Sequence, residues 1–186
     1  MEAIVFRSQQ DSSWLRIAEQ PGWYGLERPT VFLDTTIPSY VVGSASRNSL
    51  VARHQRITRV WWDRYRRHYD LVISDRVIQE MRRGAPSKVA ERVRLMESIR
   101  SVVCETRHEA FALELLRPGV LPLKAEQDAM HIAVAAFNSV RILLTWNCKH
   151  LANPTIARKV AQTCAAHDLI CPRICTPETL MRTFRP

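Results

Sequence analysis

The sequence predicts a single α/β domain built on a mostly parallel central sheet flanked by helices. Short apolar runs at 31–33, 71–73 and 141–145 alternate along the chain with segments of helical period. The run Arg141-Ile142-Leu143-Leu144-Thr145 lacks the polar alternation of a half-exposed strand, which points to burial on both faces. Strand followed by helix, repeated, requires crossover connections and therefore parallel strands. With 186 residues, 46% hydrophobic and 24% charged, the chain is long and apolar enough for one complete core.

Residues 1–29 are polar, aperiodic and carry Pro21-Gly22, so they read as an extension outside the core. The domain is expected over 30–186. Val31–Leu33 is the first strand, and Thr35–Asn48 a loop or short helix holding Pro38. Leu50–His68 reads as a helix with Ile57, Val60, Trp61 and Tyr65 on its apolar stripe and Arg56, Arg59, Asp63 and Arg66 off it. Leu71–Ile73 is the second strand, and Ser74 an N-cap for a helix over Asp75–Arg83 that Gly84 can end. Ser87 is expected to cap a helix carrying Val89, Val93, Met96 and Ile99, and Val102–Cys104 is a short strand. Thr106 and Glu109 have capping-box spacing for a helix reaching Arg117, where Pro118-Gly119 stops it. Lys124–Asn138 is an Ala-rich helix, Arg141–Thr145 a strand and Pro154–Ala166 a helix. Ile170–Ile174 makes a last strand, and Thr176-Pro177-Glu178 opens the final helix with proline at its first position.

The net charge is +9, from 27 Lys and Arg against 18 Asp and Glu. Charge of this size speaks to partners: a polyanion such as RNA or DNA first, an acidic protein second. The basic residues cluster, with Arg53, Arg56, Arg59, Arg64, Arg66 and Arg67 in one expected helix and Arg82, Arg83, Lys88, Arg92 and Arg94 soon after. A merely solvated helix face is the alternative. No apolar run approaches the ~18 residues of a membrane span. Five cysteines, an odd number without a Cys-x-x-Cys pair, and the absence of an apolar N-terminal region point to a reduced, cytoplasmic chain with no membrane partner. Cys164, His167, Cys171 and Cys175 match no common zinc spacing.

Oxygen-bearing side chains recur at the ends of the apolar elements. Asp34 follows Val31-Phe32-Leu33, Glu80 shares a helix side with Val77, Asp128 precedes Ile132 by four residues, and Asn147 follows the strand at 141–145. Each has a plain alternative: a turn cap for Asp34, an arginine pair for Glu80, the helix dipole for Asp128. Taken together they read as one acidic site. Converging carboxylates repel by about 4 kcal/mol per pair at 4 Å and an effective dielectric near 20. A hard divalent cation offsets this, and carboxylates with water suit Mg²⁺ or Mn²⁺ better than zinc. Thr35 and Thr36 stand ready to hydrogen-bond Asp34 or a water, or to cap the turn. His131 and His150 lie within reach of a substrate phosphate or are packed histidines. Trp61 belongs to the apolar stripe, whereas Trp62 and Trp146 are more open and able to stack on bases. Ser39 has no His or Asp partner that would mark it as a nucleophile.

The segments Val31-Phe32-Leu33-Asp34-Thr35-Thr36-Ile37-Pro38-Ser39-Tyr40, Leu71-Val72-Ile73-Ser74 through Glu80, Glu126-Gln127-Asp128-Ala129-Met130-His131-Ile132-Ala133 and Leu144-Thr145-Trp146-Asn147 together resemble the PIN-domain family. Within it the chain is similar to the VapC-type toxins of bacterial toxin–antitoxin pairs. The ordered likeness runs from about residue 31 to 182. It implies a compact α/β ribonuclease that uses Mg²⁺ or Mn²⁺ and cuts RNA, with Asp34, Glu80 and Asp128 as catalytic metal ligands. It also implies a homodimer restrained by a cognate antitoxin. Many members carry an acid where this chain has Asn147, whose amide brings no charge and makes it the weaker ligand. Thr35, Trp146 and His150 would line the substrate. The competing reading is a PIN-like nucleic-acid-binding module with weak or no catalysis. A nucleotide-binding α/β protein is a poorer fit, since no Gly-rich phosphate loop is present.

Overall fold

The computed structural model describes residues 28–147 and 154–184. Five parallel strands form one sheet in the order β3-β2-β1-β4-β5. They are β1 (Thr30–Leu33), β2 (Asp70–Ser74), β3 (Arg100–Val102), β4 (Ile142–Leu144) and β5 (Arg173–Cys175). The helices are α1 (Thr36–Val42), α2 (Ser49–Val60), α3 (Asp75–Met81), α4 (Pro86–Met96), α5 (Thr106–Leu115), α6 (Glu126–Phe137), α7 (Pro154–Ala166) and α8 (Pro177–Thr183). The expected α/β class is therefore the observed one. Among the described residues no helix is long and apolar enough to cross a membrane.

The chain builds outward from β1 to β2 and β3 on one side, then crosses to add β4 and β5 on the other. The β1/β4 junction is thus the switch point where an open parallel sheet leaves a crevice at its carboxyl edge. Register fixes what faces what there. Leu33 pairs with Leu144, so Asp34 and Thr145 emerge side by side. Asp34 N–H continues the ladder by donating to the Leu144 carbonyl at 3.2 Å. Val31, Phe32, Leu33, Ile142, Leu143 and Leu144 are all buried, as their composition requires.

Caps set the helices that carry the site. Ser74, the last residue of β2, accepts from Val77 N–H and starts α3, while Gly84 follows that helix at φ +106°. Thr176 caps α8 ahead of Pro177, as expected. Three local expectations change. Ala85 precedes α4 and Pro86 takes its first position, so Ser87 lies inside the helix. The third strand sits at Arg100–Val102, two residues earlier than expected. The cap of α5 is Glu105, whose N–H donates to His108 Nδ1 at 2.8 Å, and Thr106 is its first residue. A histidine ring nitrogen here does what Glu or Gln does in the usual box.

The segment after Asn48 is helical through His68 but not uniformly so. It passes from α2 into a π turn at Trp61–Tyr65 and a 3₁₀ turn at Arg66–His68. The wider turn shifts which residues face inward. Gln55, Thr58, Trp61 and Trp62 are buried, while Val60 is 41% exposed. Trp62, expected to be open, is 5% exposed.

Candidate active site

At the carboxyl edge of β1 and β4, Asp34 is buried and surrounded by donors. Its Oδ1 accepts from Thr36 N–H at 2.8 Å and from the Thr36 hydroxyl, and its Oδ2 accepts from the Thr145 hydroxyl at 2.5 Å. Thr145 Oγ1 in turn accepts from Asn147 N–H at 2.9 Å. Burial pushes the Asp34 carboxyl up, against the opposing effects of His131, Thr145 and Thr36, and its pKa stays above the ordinary value.

Glu80 arrives from α3, which the Ser74 cap fixes to the end of β2. Its Oε2 accepts from the Thr35 hydroxyl. Its Oε1 lies 3.6 Å from His131 Nε2 and has no hydrogen-bond partner despite being buried. Burial raises the Glu80 carboxyl, but His131, Thr35 and Arg83 outweigh it and hold it below its usual range.

His131 stands on α6 one turn after Asp128, and it is 3% exposed. Burial disfavours its charged form. Glu80, Asp34 and Asp128 together overcome that, so its pKa is raised. One imidazole therefore lies within the field of all three acids named from the sequence. Asp128, on the same helix as His131, accepts from Asn147 Nδ2 at 2.8 and 2.9 Å.

Hydrogen bonds thus connect Asp34, through Thr145 and Asn147, to Asp128, while Glu80 is held by Thr35, the residue after Asp34. Thr36 and Thr35 divide the work: Thr36 bonds Asp34 and Thr35 bonds Glu80. The buried His131 is a partner of the carboxylates, set back from any surface phosphate. Sequence reasoning missed Thr145, although a hydroxyl directly after a buried apolar strand was the available signal. Trp146, expected to stack on bases, is 7% exposed. Its indole N–H donates to Thr58 Oγ1 at 2.7 Å and its backbone N–H to Thr36 Oγ1 at 3.0 Å, so the side chain is committed to the interior. His150 lies outside the described residues. Trp61 is core, as expected.

The basic cluster divides into two groups. Arg59 donates to the Val41 and Gly43 carbonyls, Lys88 to Val42 O, and Arg92 to Met81 O and Arg83 O. These three tie loops to helices. Arg53, which pairs with Glu178 at 2.7 Å, and Arg56, Arg64, Arg66, Arg67, Arg82, Arg83 and Arg94 are exposed.

The donor set is all oxygen, and buried Glu80 Oε1, which makes no hydrogen bond and has only His131 Nε2 at 3.6 Å, is an atom that a hard cation would satisfy. As the side chains stand, no group of three or more His, Cys, Asp or Glu among the described residues forms a ready cage for an ion.

No protein-family model matches the chain, and no curated protein does. Among solved structures it is similar to VapC20 of Mycobacterium tuberculosis, described as a sarcin-ricin loop cleaving toxin. The identity is 17% and the TM-score 0.45, over 61% of this chain and 86% of that one.

Proposed function

We propose that the chain is a divalent-metal-dependent endoribonuclease of the PIN type, acting as the toxin of a toxin–antitoxin pair. The observation that supports this is a hydrogen-bonded network at the switch point of a parallel sheet: Thr145 bonds Asp34 and the Asn147 backbone, Asn147 bonds Asp128, and Thr35, next to Asp34, bonds Glu80. Unrelated surface acids would have no reason to be joined through one such network. The ordered motifs of the sequence support the same reading, as does the +9 charge that suits RNA.

Asp34, Glu80 and Asp128 would hold Mg²⁺ or Mn²⁺, with Asn147 as an uncharged auxiliary. When bound, the ion polarises the phosphate and makes a water more acidic. The chain's own residues prepare the rest. Thr36 and Thr145 fix the Asp34 carboxylate from both sides, and Thr35 fixes Glu80. His131 reduces the mutual repulsion of the acids before an ion arrives. The exposed arginines hold the RNA backbone by charge. An antitoxin would silence the enzyme by covering the acidic pocket with a basic side chain, and the toxin would act in the cytoplasm as a homodimer.

The Asp128–Asn147 contact favours a second reading, a nucleic-acid-binding module with weak catalysis. Asn147 adds no charge, and its amide engages the carboxylate that an ion would need. The deciding experiment is cleavage of a mixed RNA pool by the purified chain with Mg²⁺ or Mn²⁺, beside Asp128→Asn and a chelator control. Cleavage that disappears in both controls is expected. RNA binding by folded protein without any cleavage would move the assignment to the binding module.

A further inference from the structure

An aromatic stack is joined to the site through the Trp146 backbone, which bonds Thr36. His54 of α2 lies flat on the Trp146 indole, with ring centroids 3.9 Å apart and planes 17° apart. Tyr40 of α1 borders both rings, 6.1 Å from His54 and 6.4 Å from Trp146. The stack is rigidly mounted. Thr58 accepts the Trp146 indole N–H, and its own hydroxyl donates to the His54 carbonyl at 2.7 Å. Trp146 is sealed, whereas His54 and Tyr40 are partly exposed.

The mounting also fixes where the stack lies. The Trp146 backbone N–H bonds Thr36 Oγ1, which bonds Asp34, so two hydrogen bonds link the residue that backs His54 to the buried carboxylate. Arg47 and Arg56, in the loop and helix around His54, are exposed and form no ion pair among the described residues. A preorganised, partly exposed ring with exposed arginines on its own helix and the preceding loop suits a nucleotide: a π face for the base and positive charge for the backbone.

We propose that His54, backed by Trp146 and flanked by Tyr40, is the platform on which a nucleobase of the RNA substrate stacks next to the phosphate to be cut. The inference rests on the ribonuclease reading and narrows its substrate class. A base in a duplex has both faces occupied, so the substrate must be unpaired at that nucleotide.

The test uses the full chain in chelator, so that binding is read without cleavage. Fluorescence anisotropy follows a labelled single-stranded RNA of mixed sequence, and 2-aminopurine placed at successive positions reports stacking. His54→Ala should weaken binding about 5- to 150-fold, the range for losing one stacked base. The salt dependence should keep its slope, because phosphate contacts are untouched. His54→Phe should bind within about threefold of the parent and quench 2-aminopurine as the parent does. Near-UV circular dichroism checks folding. If His54→Ala does not fold, His54→Leu replaces it, since leucine covers Trp146 without offering a ring. Parental binding by the Ala or Leu variant would overturn the platform, as would equal weakening by His54→Phe. Metal-dependent cleavage with parental binding by those variants refutes the platform alone. RNA binding through His54 without cleavage refutes catalysis alone.

Discussion

Thr145→Val tests whether the site is held by the hydrogen bonds described. Valine has nearly the shape of threonine, and Thr145 is fully buried, so the change removes a hydroxyl without opening a cavity. Two interactions disappear. Asp34 Oδ2 loses its donor at 2.5 Å, and Asn147 N–H loses its acceptor at 2.9 Å. A hydrogen bond to a charged group contributes about 1.5–3 kcal/mol and a neutral one about 0.5–1.5 kcal/mol, so the sum is about 2–4.5 kcal/mol. For a domain of this size each kcal/mol moves the melting temperature by about 2–4 °C, which gives a fall of about 4–18 °C. The assay is thermal unfolding in chelator, with Thr145→Ser as the control that restores the hydroxyl. The loss should be greater at alkaline than at acid pH, because the Thr145 bond favours the ionised form of Asp34 and has less to hold once the carboxyl is protonated. A valine variant that melts within about 2 °C of the parent, or a serine variant that melts with the valine one, would refute this account of the site.

Two further predictions concern the loop beside the site and the charge within it. Gly43 has φ −60°, so its backbone suits any residue, but an added Cβ would lie 2.8 Å from both Ser39 O and Gln55 Nε2. Gly43→Ala should therefore cost about 1–3 kcal/mol through overpacking alone, read by urea unfolding, and a neutral result would mean the loop yields freely. In chelator, the His131–Glu80 pair should shape stability against pH. The raised pKa of His131 makes its contribution complete below about 6.5, and that contribution is lost as pH rises through the higher folded value. The lowered pKa of Glu80 makes its contribution complete above about 4.5, and it is lost as pH falls through the lower folded value. His131→Gln should flatten the alkaline limb, and an unchanged limb would show that the imidazole is not the internal cation.

The sheet was legible because parallel strands buried on both faces leave unbroken apolar runs, and 31–33, 71–73 and 142–144 are such runs. The inward face of α2 was not, and the reason is physical. Periodicity assumes 3.6 residues per turn and an apolar interior, and this helix breaks both assumptions. The π turn at Trp61–Tyr65 changes the register, which brings Trp62 inside. Gln55 and Thr58 are buried as well because other groups need them. Gln55 bonds Ser44 O and Ser46 N in the preceding loop, and Thr58 bonds the Trp146 indole. A polar side chain whose partner lies many residues away gives no local pattern to read.

The same reasoning separates what was visible in the site from what was hidden. Asp34, Glu80, Asp128 and Asn147 stand at element ends, where topology alone gathers side chains at one sheet edge. The groups that hold them are ordinary residues in ordinary places, and only the strand register brings them to bear. Leu33 opposite Leu144 puts Thr145 against Asp34. A slip of one residue in that pairing would send one of the two side chains to the other face of the sheet and part them. His131 is hidden differently. It lies in an Ala-rich helix whose apolar neighbours suggest simple packing, yet its charge answers three carboxylates from three separate elements. An isolated buried histidine would have its pKa lowered by burial, and here the acids reverse that direction. Glu80 Oε1 lies 3.6 Å from His131 Nε2, a contact between α3 and α6 that no single segment of the sequence states. Convergence is therefore the one property of this site that folding alone supplies, and the metal chemistry proposed for it depends on that property more than on any one ligand.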